Sequence, residues 1–131
     1  MRTLKLLDGT YGIYKFESRA AAFRWIGGLP ATDDDFIGFS ATATETSVIC
    51  PEGIATTSVI AKKEGWVGLF FDGQLDFELV GILSRLTGLL ADAGIGVLAV
   101  STYDTDYVFI PGRQLATARR VLSDCGYLVR G

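Results

Sequence analysis

Two short polar segments hold the residues best suited to chemistry in this sequence. The first, Asp72-Gly73-Gln74-Leu75-Asp76-Phe77, closes one apolar run and opens an amphipathic one. A chain that turns there from strand into helix presents free N–H groups, which attract anions such as carboxylates. Asp76 reads in two ways. Its side chain caps those N–H groups itself, or it touches a ligand. The second segment, Ser101-Thr102-Tyr103-Asp104-Thr105-Asp106-Tyr107, is more polar than a link between two apolar strands requires, although Asp and Thr are ordinary turn residues. A carboxylate here could meet an ammonium group while the helix start meets a carboxylate. Those two needs together describe an amino-acid zwitterion.

Other chemistries are excluded by what is missing. The 131 residues contain no histidine, which removes Ser-His-Asp and Cys-His catalysis and most zinc sites. Cys50 and Cys125 read as small buried hydrophobes rather than as a bridge. Asp33-Asp34-Asp35 lacks the spaced ligands and the glycine of a calcium loop, and reads as a solvated loop. No metal or cofactor is expected. A phosphate-cleaving hydrolase would want a cation in the strand-to-helix loop, and Asp72-Gly73-Gln74 has none. The chain therefore reads as a non-enzyme.

Partners are bounded by charge and hydropathy. The net charge is −3, the pI is about 4.8, and the basic residues are scattered, so nucleic acid is a poor partner. The longest apolar periodic stretch, Phe77 to Ala93, carries Glu78, Ser84, Arg85 and Asp92. It falls short of the roughly 20 apolar residues of a membrane span. The apolar start Leu4-Lys5-Leu6-Leu7 ends at Asp8-Gly9, too soon for a signal peptide. A cytoplasmic, membrane-free protein is expected.

The elements that position these residues follow from periodicity. Asp8-Gly9 between Leu4–Leu7 and Tyr11–Phe16 predicts a hairpin with a type I′ turn. Ala20–Trp25 is a short helix, and Phe36–Ser40 and Thr46–Cys50 are strands. Pro51 opens a weak helix. Trp66–Phe71 is a strand that closes one unit and opens the next. Asp76 caps a helix over Phe77–Ala93, with Leu79, Ile82, Leu83, Leu86 and Leu90 on one stripe and Gly94 at its end. Gly81 and Gly88 fall inside that helix, each costing about 1 kcal/mol against alanine. Close approach of backbone, a subunit or a ligand would offset that cost, or they merely relieve packing on the sheet. Val97–Thr102 and Tyr107–Ile110 form a hairpin. A helix carrying Leu115, Ala118, Val121, Leu122 and Cys125 follows Pro111-Gly112, and Tyr127–Val129 is a last strand. Residues 66–130 thus read β-α-β-β-α-β, which closes as a four-stranded antiparallel sheet with both helices on one face.

The two halves rhyme. Phe39-Ser40-Ala41-Thr42-Ala43-Thr44-Glu45 lies over Val100-Ser101-Thr102-Tyr103-Asp104-Thr105-Asp106, and each return strand ends in proline, Pro51 or Pro111, with one extra residue in the first copy. Duplication is the better reading. The fold class is α+β, with two ferredoxin-like modules in tandem: a degenerate one at 1–65 and a complete one at 66–131.

At Asp72–Phe77, Gly81-Ile82-Leu83 and Ser101–Tyr107 the chain resembles the ACT domains, small regulatory modules that bind amino acids and similar effectors. It is similar in particular to bacterial tandem-ACT proteins related to the CASTOR arginine sensors. The resemblance implies modules that pair edge to edge, hence a homodimer, with ligand at the interface. It implies contacts from Asp76, Phe77, Gly81, Thr102 and Tyr103, with Asp106 holding the ligand amino group. The ligand's identity does not carry over, and whether one chain or two complete the site stays open. The function expected is a small-molecule sensor, most naturally for an amino acid, acting through a partner or through dimerisation. The alternative is an interaction module with a vestigial site.

Overall fold

The structure, a computed structural model, describes residues 2–29, 35–54, 58–73 and 81–131. The chain divides into two compact units, Met1–Asp8 with Trp66–Gly131, and Gly9–Gly65. The larger unit contains strands β1 (Arg2–Leu6), β6 (Leu98–Ser101), β7 (Asp106–Pro111) and β8 (Tyr127–Arg130), with helices α2 (Ile82–Asp92) and α3 (Leu115–Asp124). The smaller contains β2 (Tyr11–Phe16), α1 (Arg19–Gly27), β3 (Gly38–Ala41) and β4 (Thr46–Pro51). Strand β5 (Val59–Phe71) contributes to both, because the division falls inside it.

In the larger unit the strand order is β6-β7-β5-β1-β8. This is a mixed, five-stranded sheet rather than the expected four-stranded antiparallel one. The N-terminal strand enters between β5 and β8, antiparallel to the first (Leu4 opposite Phe71) and parallel to the second (Leu4 opposite Val129). The division expected at 1–65 and 66–131 therefore does not describe the compact units. The expected hairpin at Asp8-Gly9 is also corrected: β1 pairs with β5 and β8, while β2 pairs with β4. Gly9 does adopt the positive φ that a tight turn needs (77°). Local turn preference loses to burial, since Leu4 is fully buried in the core and burying a leucine is worth about 1.5–3 kcal/mol.

Both helices lie on one face of this sheet. Leu86 and Leu90 of α2 and Ala118 and Leu122 of α3 share a core with Leu4, Val67, Leu69, Phe71, Val108 and Ile110. The predicted stripes hold at most described positions: Ile82 and Leu83 pack at the edge of that core, as do Leu115 and Cys125, while Val121 is half-buried outside it. The N-cap of α2 is Gly81, at φ 81° and without a side-chain cap. Gly81 thus precedes the helix instead of lying within it. The cap expected at Asp76 falls outside the described residues, as does Leu79. Gly88 does lie in the helix, but a Cβ there would meet nothing within 4 Å. Packing against the sheet does not account for it.

The smaller unit orders its strands β3-β4-β2, with β5 next. Its core is Tyr14, Phe16, Ala21, Ala22, Val48 and Cys50. Helix α1 is short and is capped by Ser18, whose hydroxyl accepts from the Ala21 N–H. The helix expected from Pro51 is not formed among the described residues: β4 runs through Pro51, and a turn follows with Gly53 at φ 85°. β-Branched residues and a left-handed glycine favour strand and turn over helix there. Both cysteines are free, Cys50 buried and Cys125 half-buried. Among the described residues no helix is long and apolar enough to cross a membrane.

The two glycines of α2 should respond with opposite signs. Gly81→Ala forces a left-handed alanine and is expected to cost about 1–2 kcal/mol. Gly88→Ala removes backbone entropy in an exposed helix and is expected to add up to about 1 kcal/mol. Urea unfolding of both variants checks this; two changes of the same sign would contradict the assignment.

Candidate functional site

The turn between β6 and β7 is built from its own side chains. Ser101 and Asp106 form the last cross-strand pair, and the Ser101 hydroxyl donates to the Asp106 carboxylate. The Thr102 N–H donates to the Thr105 carbonyl at 2.8 Å. The Thr102 hydroxyl donates to that same carbonyl at 3.1 Å and accepts from the Thr105 N–H at 3.3 Å. Tyr103 stands at the tip, 79% exposed. One polar atom is left over: the Thr105 hydroxyl is buried and has no hydrogen-bond partner among the described residues. Such a group costs about 1–3 kcal/mol.

Strands β5 and β6 each pair antiparallel with β7, so the β6–β7 turn lies at the end of the sheet where β5 stops. Tyr107 stacks on Phe70 there, with centroids 5.3 Å apart. The structure thus brings Thr102, Tyr103 and Asp106 together on one turn. It places Gly81 elsewhere, in a hollow with Arg2, Arg85 and Tyr127 that none of those three residues lines. Two strand spacings, about 10 Å, separate β7 from β1, the strand that carries Arg2. Asp76 and Phe77 fall outside the described residues.

The turn between β3 and β4 repeats this geometry. Ala41 and Thr46 form the last pair, the Thr42 N–H donates to the Glu45 carbonyl at 2.8 Å, and the Thr44 N–H donates to the Thr42 hydroxyl at 3.3 Å. Ala41 thus stands for Ser101, Thr42 for Thr102 and Pro51 for Pro111. The offset is 60 residues for the closing pairs, for the bonds from Thr42 and Thr102 to the carbonyls of Glu45 and Thr105, and for the prolines; the N–H that meets the threonine hydroxyl differs, Thr44 in one turn and Thr105 in the other.

In this smaller unit the helix start and the turn do face one another. A hollow of about 520 Å³ is lined by Lys15, Glu17, Ser18 and Arg19 on one side and by Thr42–Thr46 on the other. The Arg19 guanidinium donates to the Thr42 carbonyl at 3.5 Å, and the Ser47 hydroxyl donates to Glu45 at 2.8 Å. Two cations and two carboxylates share the rim. Sequence reading missed Arg19 and Glu45 as site residues. The signal was there: the shared Thr and Pro at constant offset locate a second turn equivalent to the first.

In the core of the smaller unit Tyr14 is buried, and its hydroxyl donates to Glu64 at 2.6 Å. Burial, then the hydrogen bond to Glu64, raises the Tyr14 pKa. The same hydrogen bond holds Glu64 below its usual range, with Lys62 adding to the effect at 3.4 Å. Burial pushes the Cys50 thiol up to about 12, so it is an inert hydrophobe. Among the described residues no cluster of metal-ligating side chains exists.

The model of the ACT domain matches residues 61–124. The matched segment covers β5 from Ala61 onward through the end of α3, and the fold is α+β and ferredoxin-like, with a mixed sheet and, among the described residues, three helices. Among solved structures, protein Atu0741 of Agrobacterium tumefaciens is similar at TM-score 0.80 and 26% identity, over 99% of this chain and 93% of that one. The ligand-free regulatory subunit of aspartate kinase from Thermus thermophilus is similar at TM-score 0.61 and 12% identity, over 92% and 97%. Aspartokinase III of E. coli, solved with aspartate and ADP, is similar at TM-score 0.64 and 10% identity, over 92% of this chain and 33% of that one. At these last two identities the likeness is one of fold. None of the curated proteins matches.

The Tyr14–Glu64 bond sets a pH dependence. Glu64 is held low, so its contribution is present above its usual value of 4.5 and is lost as pH falls. Tyr14 is raised, so its contribution is intact below 10.0 and fades as pH climbs past that value. Urea midpoints should therefore fall on both limbs in the native protein and less steeply on both in Tyr14→Phe. Parallel profiles would contradict the coupling.

Proposed function

We propose that this chain is a regulatory module that binds a small zwitterionic metabolite, an amino acid in the simplest case, and signals through a partner or a second copy of itself. The observation that carries the reading is the smaller unit's rim. There a helix start and a hydrogen-bonded turn enclose a hollow that presents both signs of charge. A zwitterion needs that distribution: a cation and free N–H groups for its carboxylate, a carboxylate for its ammonium. The ACT domain at residues 61–124 supports a ligand-binding regulatory role rather than a catalytic one, as does the likeness to a regulatory subunit.

In the larger unit the same chemistry is assigned to Thr102, Tyr103 and Asp106, with Asp106 receiving the ammonium; Asp76 and Phe77 complete the assignment, and Gly81, in its separate hollow, is left out of it. The buried Thr105 hydroxyl of that turn offers a further polar contact. The smaller unit is taken as a degenerate second copy, in keeping with the tandem arrangement of CASTOR-type sensors. At its equivalent turn Glu45 lines the same hollow as Arg19.

A thermal-shift screen of the twenty amino acids tests the proposal. A ligand at a hundred times its Kd adds about 2.7 kcal/mol to stability, so one or a few amino acids should raise Tm measurably. Asp106→Asn and Arg19→Ala should each diminish the shift and together abolish it, while leaving the unliganded Tm within a degree or two. A flat response to all twenty, with a stable dimer on gel filtration, would replace this reading with that of an interaction module.

A further inference from the structure

The sequence contains two Asp-Gly pairs, Asp8-Gly9 and Asp72-Gly73, and the fold restrains them differently. In an Asp-Gly pair the aspartyl side chain can turn on its own backbone, because glycine has no Cβ to block the approach to its nitrogen. Asp72 is held. Its N–H donates to the Thr3 carbonyl at 2.9 Å, and its carboxylate pairs with Lys5 at 3.3 Å. Asp8 and Gly9 are exposed and lie between β1 and β2. Among the described residues no hydrogen bond or ion pair engages either of them. Gly9 has φ 77°, and nothing lies within 4 Å of where its Cβ would stand. Both the Asp8 carboxyl and the nitrogen it would meet are therefore unencumbered.

From this we infer that Asp8 is a site of spontaneous backbone modification, isomerising to isoaspartate ahead of Asp72. In the first step the Gly9 nitrogen bonds to Cγ of the protonated Asp8 carboxyl. The Cγ–OH bond breaks, and the hydroxyl leaves with the amide proton as water. A second water then opens the five-membered imide. Cleavage between the nitrogen and the main-chain carbonyl carbon leaves the chain running through Cβ and Cγ, with a free α-carboxylate. That carboxylate is the group a carboxyl-methylating enzyme would take as substrate. The chain passes between its two compact units at only two peptide bonds, Asp8–Gly9 and Gly65–Trp66. The modification therefore inserts a methylene into one of the two covalent connections.

The full chain is incubated for several weeks at neutral pH and physiological temperature, then digested with trypsin. The peptides Leu6–Lys15 and Glu64–Arg85 separate the two sites. An isoaspartyl-specific carboxyl methyltransferase with a labelled methyl donor measures the product in each. Isoaspartate should accumulate at Asp8 about threefold faster than at Asp72, a factor that one exposed ion pair can supply. Lys5→Gln removes that restraint and should raise the Asp72 rate by about the same factor, leaving the Asp8 rate unchanged. Asp8→Glu, which would have to close a six-membered ring, should remove the signal from Leu6–Lys15. In urea, where neither site is restrained, the two rates should converge. Isomerisation at Asp72 as fast as at Asp8 in the folded chain, or none at Asp8 where the unfolded chain reacts there, would overturn the proposal.

Discussion

Leu4 sits fully buried between Phe71 on one neighbouring strand and Val129 on the other, and the larger unit is organised around that placement. Without β1, the facing edges of β5 and β8 would lose their ladder partners, each unpaired group costing on the order of 1 kcal/mol or more. The Thr3 carbonyl accepts from the Asp72 N–H at 2.9 Å, and the Gly68 carbonyl accepts from the Leu7 N–H at 2.8 Å. Lys5 adds an exposed pairing with Asp72 at 3.3 Å, which contributes little. The parallel pairing with β8 brings residues 2–5 beside 127–130. Arg2 reaches the Gly81–Arg85 corner because of it, so a strand chosen by the core also delivers a charge to the rim.

Most of the larger unit was legible because its signals are local and mutually consistent. The stripe on α2, the left-handed stop at Gly94, the hairpin of β6 and β7 and the stripe on α3 each depend on neighbours a few residues away. The insertion of β1 was not legible. Alternating Leu4, Lys5 and Leu6 describes a half-buried strand but not its partners, and Asp8-Gly9 points to the wrong one. Long-range pairing outweighed a turn signal that was itself read correctly, as the φ of Gly9 attests. Gly81 failed for a related reason. A glycine in an apolar, helix-periodic run is compatible with an interior position and with a left-handed N-cap, and only the backbone angle separates them.

The paired turns clarify what the rhyme between the halves consists of. Sequence comparison aligned the polar residues at a shift of 61, which required one extra residue before Pro51. The bonds from the threonine hydroxyl and N–H to the carbonyl across the turn align them at 60, because the shared feature is the threonine that braces the turn, Thr42 or Thr102. Side-chain bracing of this kind ties a turn to its sequence more tightly than polarity does. It also assigns Thr102 a structural duty that a ligand contact would have to share. Asp106 is similarly engaged by Ser101, but a carboxylate offers about four lone-pair sites and keeps acceptors to spare.

Both signs of charge line the hollow of the smaller unit, and that limits which guests it could hold. At 4 Å, a unit charge contributes about 4 kcal/mol where the effective dielectric is near 20, against about 1 kcal/mol in bulk water. A dianion at the Gly9–Gly65 rim would gain from Lys15 and Arg19 and lose a comparable amount to Glu17 and Glu45.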